Sequence, residues 1–221
     1  MIRKILFSLV ILFGATVSMA QEVTTMWPYI YSDFQKGTVY FKDQQILEAP
    51  VNVHLLKSTL HYLDKDQIRE AETLDIVLVQ IGYNKYYMRN NRLMHVLAGD
   101  SIGFVAELVT ADFNRLTESG GAYGSSSNVQ ATRKLSSLEI GGVNITNHVE
   151  LKSKKDAGSL LPLTKKYFIV TEDQVYPANK KGFESQLPDN KRDAFKKFIK
   201  QNKIKWNHPD SLIALLDFLK D

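Results

Sequence analysis

Between Thr38 and Leu108 the chain repeatedly alternates apolar and polar side chains, and this pattern constrains the fold more than any other feature. Successive side chains of a strand point to opposite faces, so a period of two marks a half-buried strand. Val39 and Phe41 share one face of a first strand, and Asp43-Gln44-Gln45 supplies a turn. Leu47, Ala49, Val51, Val53 and Leu55 alternate next. Pro50 within that run marks an edge or a bulge, because it has no N–H to give to a ladder. Thr59 to Leu63 and Ile68 to Ala71 follow, separated by the polar turn Asp64 to Gln67. Asp75 to Ile81 is apolar on both faces and reads as a central strand covered on both sides. Tyr86-Tyr87-Met88 and Leu93 to Leu97 flank Arg89-Asn90-Asn91-Arg92, a hairpin turn in which Asn tolerates positive φ. Ile102, Phe104, Ala106 and Leu108 complete the series. Short strands at this spacing imply an antiparallel sandwich or barrel.

The two ends of the chain depart from this pattern. Arg3 and Lys4 precede a mostly apolar thirteen-residue run, Ile5 to Val17, and Ser18-Met19-Ala20 offers small residues for cleavage. The order is that of a signal peptide over residues 1–20, and the run falls short of the about 20 residues that span a bilayer. The expectation is an exported protein, placed in the periplasm, at the outer membrane or outside the cell, with no transmembrane segment after signal removal. The chain has no Cys, which excludes thiolate catalysis, disulfides and zinc–cysteine sites. At the other end, Pro188 precedes Asp189, a good N-cap, and Ala194, Phe195, Phe198 and Ile199 fall at helical spacing. A second helix starts near Asn207 to Pro209 and carries Leu212, Ile213, Leu215, Leu216 and Leu219. Tyr167 to Val170 and Gln174 to Tyr176 form a hairpin just upstream.

Charge divides the chain. Residues 21–117 hold nine basic and twelve acidic side chains, whereas residues 118–221 hold seventeen and twelve. The boundary coincides with Ser119 to Ser127, a Gly/Ser-rich stretch whose ordering costs backbone entropy. The organisation expected is a signal peptide at 1–20, an antiparallel β region at 21–117 and a flexible loop at 118–134. Residues 135–221 then bring β hairpins and a helical hairpin that pack with the first region. The fold class is α+β, mainly antiparallel β (sandwich or barrel-like), with a C-terminal helical hairpin.

Recognisable reaction chemistry is sparse. Neither Gly-x-Ser-x-Gly nor Ser-x-x-Lys occurs, which argues against the common serine hydrolase arrangements. His54, His61, His95, His148 and His208 show no His-Glu-x-x-His spacing, and His54 and His61 would face opposite sides of one continuous strand. Asp64 to Glu70 lacks the glycine of a calcium loop and sits between strands. Gly120, Gly121 and Gly124 lack the Lys-Ser/Thr of a phosphate loop. Glu48, Asp75, Glu107 and Asp112 are available to a carboxylate-pair glycosidase without any pattern that selects two of them. The sequence implies no cofactor and no metal. The aromatic cluster Trp27, Tyr29, Tyr31, Phe34, Tyr40 and Phe41 reads as an N-terminal segment anchored across the core, with sugar stacking as the other use of such rings.

The strongest binding signal is basic. Lys180 to Lys205 contains nine basic residues against three acids. Lys191, Arg192, Lys196, Lys197 and Lys200, with Tyr123 from the Gly/Ser-rich stretch, are the candidate binding residues. Export excludes nucleic acid as the partner, and leaves an envelope protein or glycan, with anionic lipid head groups as a further class.

Tyr29 to Asp43, Tyr167 to Val170, Val175 to Ala178 and Phe195 to Ile204 together resemble uncharacterised exported β-rich proteins of Gram-negative bacteria, over roughly 27–116 and 165–219. The resemblance lies in pattern and carries over no activity and no catalytic residue. The function expected is a non-enzymatic envelope binding or interaction module. The alternative is a hydrolase of envelope or dietary polysaccharide or peptide, using a sparse carboxylate or histidine site. An outer-membrane barrel is disfavoured by the helical C-terminus.

Overall fold

The computed structural model describes residues 23–72, 74–99, 103–112, 115 and 146–220. The expected signal segment at 1–20, Tyr123 and the Gly/Ser-rich stretch lie outside the described residues, as does residue 102 at the start of the last expected strand. The strands are β1 (Gln35–Phe41), β2 (Ile46–His54), β3 (Thr59–Asp64), β4 (Gln67–Glu70), β5 (Ile76–Ile81) and β6 (Asn84–Arg89). They continue with β7 (Arg92–Gly99), β8 (Gly103–Ala111), β9 (Thr146–Asn147), β10 (Leu163–Thr171) and β11 (Val175–Pro177). Among the described residues all pair antiparallel in one sheet, in the order β11-β10-β8-β7-β6-β5-β1-β2-β3-β4-β9. The chain is therefore α+β and mainly antiparallel β, as its periodicity implies.

Two meanders share this sheet. β1 to β4 run outward one way, and the chain then returns past three strands so that β5 pairs with the free side of β1. From β5 the second meander runs outward the other way. The Asn90-Asn91 turn has both residues at positive φ, 52° and 56°, the geometry of the tight hairpin whose twist matches its strands. Pro50 has the expected effect on β2. Pairing with β3 covers only Val51 to His54, whereas pairing with β1 extends to Ile46. Phe41 N donates to Gln45 O on the β1 side, and ladder alternation then points position 50 toward β3, where proline has no hydrogen to donate. β5 is central in the order, but Val77 and Leu78 are only half-buried, so the expected double cover is incomplete.

The sheet curls back on itself, which favours the barrel-like reading over a two-sheet sandwich. β3 and β7 stand five places apart in the order, yet Leu93 N donates to Ser58 O (2.8 Å) and Ser58 Oγ donates to Leu93 O (2.7 Å). Ala111 N likewise reaches Leu55 O (2.8 Å). Inside the curl Val39, Val51, Val53, Leu60, Val79, Ile81 and Leu93 form one core. Its closeness is visible at Gly37, where a Cβ would lie 2.3 Å from Val51 Cγ2.

Four helices complete the described fold: α1 (His148–Ser153), α2 (Lys180–Ser185), α3 (Asp189–Gln201) and α4 (Pro209–Lys220). The α3–α4 pair is the expected helical hairpin. Phe183, Phe195, Leu212, Leu215 and Leu216 bury against Val105 and Ile169 of the sheet. Asp189 is the first residue of α3 rather than its cap. Pro188 holds the cap position without a side-chain bond, and Asp189 pairs with Arg192 instead (2.9 Å). Helices α1 and α2 are too short to show a period, and each is started by an asparagine, Asn147 and Asn179, whose side chain accepts from the third residue on. No described helix is long and apolar enough to cross a membrane.

Candidate functional site

A row of polar side chains interrupts the apolar inner face where β6, β7, β8 and β10 run side by side. Tyr31 is set by a reciprocal pair of bonds to Asn52: its N donates to Asn52 Oδ1 (3.1 Å) and its carbonyl accepts from Asn52 Nδ2 (2.9 Å). Its hydroxyl meets that of Tyr86 at 2.7 Å. Asn84 Nδ2 donates to Tyr31 Oη (2.9 Å), which turns Asn84 Oδ1 toward His95 Nε2 (3.1 Å). An amide oxygen only accepts, so Nε2 carries the proton and the neutral ring keeps Nδ1 as an acceptor. The His95 and Tyr86 rings stack with centroids 5.0 Å apart.

Strand register supplies the rest. His95 faces Glu107 across β7 and β8, and Glu107 faces Tyr167 across β8 and β10. Just beyond His95 the β7–β8 register shifts by one residue. The extra residue lies in β7, whereas Val105 and Glu107 are two apart on unbroken β8 and share a face, so the polar row borders the surface that packs against the helices. Glu107 Oε1 lies 3.1 Å from Lys165 Nζ, and the carboxylate is 12% exposed against 59% for the lysine. Burial lowers the pKa of His95, with Lys165 acting the same way and Glu107 opposing. Burial also raises both Tyr31 and Tyr86. At neutral pH the row holds a neutral imidazole, two phenols, an amide and one carboxylate–ammonium pair. Its formal charge cancels, and its atoms include both donors and acceptors.

A second cluster lies on the opposite face of β2 and β3. His54 and His61 stack parallel, centroids 4.5 Å apart, with the rings 4° from coplanar orientation. The tight β2–β3 turn reverses the chain between them, so they share a face, contrary to the expectation for one continuous strand. Tyr29 Oη lies 2.9 Å from His61 Nδ1 and its ring packs edge-on against both imidazoles. Trp27, Tyr29 and Phe34 anchor the N-terminal segment over this face, as the aromatic count implies, whereas Tyr31 turns into the polar row. Burial pulls His61 down to about 4 and holds His54 well below the usual imidazole value. Among the described residues no three His, Cys, Asp or Glu side chains could hold a metal ion.

The basic residues predicted to bind, Tyr123 apart, lie on α3. Residues advance roughly 100° each on a helix, so Arg192, Lys196 and Lys200, four apart, line one stripe with Lys197 beside it, and Lys191 lies apart. Arg192 pairs with Asp189, and Lys196 with Asp193 (3.2 Å) and Glu184 (3.5 Å). Lys197 and Lys200 are exposed and Lys191 is half-buried, none with an ion-pair partner among the described residues. Arg192 joins Lys180, Lys181, Glu184 and Ser185 around an open depression of about 460 Å³.

No protein-family model, curated protein or solved structure matches this chain. Sequence inspection selects none of Asn84, Tyr86 or Lys165 and leaves His95 and Glu107 without a partner. One signal was available: Glu107 sits between Val105 and Val109, a charge on the second face of an otherwise apolar strand.

Proposed function

We propose that this is an exported binding module that takes a hydroxyl-rich ligand, a glycan of the envelope or its surroundings, on the polar row of its inner face. The observation that carries the reading is the row itself: Tyr31, Asn84, Tyr86, His95, Glu107 and Lys165 joined across four strands, with half-buried Asn84, His95 and Glu107 and exposed Lys165 at hand for a ligand. Sugar hydroxyls both donate and accept, and a charge-neutral row with a fixed acceptor at His95 Nδ1 meets that requirement. Binding is favoured over turnover because Glu107 is the one carboxylate joined to the row by a described contact, and it is held by a lysine. Export is supported by the order of residues 1–20 and by the resemblance to exported Gram-negative proteins.

The test is an NMR titration of the tyrosine and imidazole resonances with soluble chito-, malto- and xylo-oligosaccharides. One of the three is expected to shift Tyr86 and His95 saturably, and Glu107→Gln should weaken it about tenfold, the equivalent of about 1.4 kcal/mol. Resonances unmoved by all three, with cross-linking in native cells recovering a protein seated elsewhere on the sheet, would remove the glycan reading.

A further inference from the structure

We infer a second, separate ligand site: the depression between α2 and α3 binds a phosphate group through Lys180 and Lys181, with Arg192 at its margin. The inference rests on how the charges around this depression are already used. Glu184 is engaged by Lys196 from the next turn of α3 (3.5 Å). Arg192 is held by Asp189 (2.9 Å), and its Nε donates to Leu187 O (3.3 Å), so one face of the guanidinium is fixed in place. Ser185 Oγ donates to Gly182 O (2.9 Å). Lys180 and Lys181 are exposed and have no ion-pair partner among the described residues. Internal pairing thus cancels Arg192 and Glu184 and leaves two adjacent ammonium groups over an open concavity. Two adjacent unpaired cations lining one depression add their potentials there. A phosphate monoester or diester brings the one to two negative charges that such a pair can neutralise. The volume of about 460 Å³ admits a phosphate together with the group that carries it. A lipid head group and a soluble phosphate ester present the same group.

This site uses none of the residues of the inner polar row, so either reading can fail without the other. The experiment compares the full chain with Lys180→Ala/Lys181→Ala and with Lys197→Ala/Lys200→Ala, which removes the same charge from the exposed face of α3. One arm measures sedimentation with phosphatidylglycerol/phosphatidylcholine vesicles against pure phosphatidylcholine. The other follows the amides of residues 179–193 by NMR during titration with glycerol 3-phosphate. At about 1 kcal/mol per lysine near an anionic surface, the depression variant should lose about thirtyfold in apparent affinity, and the α3 variant little. Binding in the vesicle arm alone assigns the site to a lipid head group, and binding in the soluble arm assigns it to a phosphate ester. Equal losses in both variants would overturn the site in favour of diffuse charge on the helical hairpin. The absence of wild-type binding in both arms would overturn it outright.

Discussion

His54 and His61 show what a buried residue contributes to behaviour rather than to shape. Both are almost completely buried, and His54 Nε2 has no hydrogen-bond partner among the described residues. Tyr29 is held protonated by burial, and its hydroxyl shares a hydrogen bond with Nδ1 of the neutral His61 ring. His61 adds to the lowering of His54, and Glu70, which faces His61 across β3 and β4, adds to the raising of Tyr29. A histidine whose folded pKa is depressed stabilises the fold above its unfolded pKa, because only the unfolded state gains the proton as pH falls. With His61 at about 4 and an ordinary value of 6.5, stability should be full above pH 6.5 and fall progressively toward pH 4. His61 alone accounts for about 3 kcal/mol of that loss, at 1.36 kcal/mol per pKa unit. Urea unfolding measured from pH 7.5 to pH 4 should show this slope, and His54→Phe, which keeps a ring in the stack, should flatten it. A profile unchanged by that substitution would mean that His54 is not a source of the acid sensitivity.

At the scale of elements, two backbone positions are decisive. The Asn90-Asn91 turn holds both residues in the left-handed region, where other residues with a Cβ are strained by roughly 1–2 kcal/mol. Asn91→Ala should therefore lower stability by about 1 kcal/mol, and Asn91→Gly should be close to neutral, both read from denaturant midpoints. Gly37 is a different case, with ordinary backbone but no room. Alanine there would press on Val51 Cγ2 inside the curl, and an overpacked core typically costs 1–3 kcal/mol. Gly37→Ala should be destabilising even though alanine suits a strand better than glycine in an open site. The hairpins themselves were legible because alternation and turn residues are local. Helices α1 and α2 were not, since six residues complete fewer than two turns and present no period.

For the whole molecule, the junction of the two meanders matters most. Ser58 is buried at positive φ and bonds twice to Leu93, so the β2–β3 turn closes the curl against β7. Ser58→Ala leaves a buried carbonyl without its side-chain donor, a loss of about 1–3 kcal/mol. Because the two meanders share one core, hydrogen-exchange protection of β1 to β4 and of β5 to β8 should fall together in this variant. Loss of protection in β1 to β4 alone would show that the halves unfold independently. The polar row belongs to this scale as well. Tyr31 comes from the segment ahead of β1, Asn84 and Tyr86 from β6, His95 from β7, Glu107 from β8 and Lys165 from β10. Nothing in their spacing along the chain brings them together.

The amino-acid sequence by itself determined the strands, most of their turns and the C-terminal helical hairpin, because periodicity, Pro50 and the paired asparagines act within a few residues of one another. It also determined the surplus of positive charge after residue 117. Tertiary structure alone decided that β5 returns to β1, that the sheet curls until Ser58 meets Leu93, and that His54 and His61 share a face. It also gathered the polar row from five segments and set Lys180 and Lys181 beside Arg192. These are contacts between residues tens of positions apart, fixed by how sheet faces and helices bury one another, and that burial is a property of the assembled core rather than of any stretch of chain.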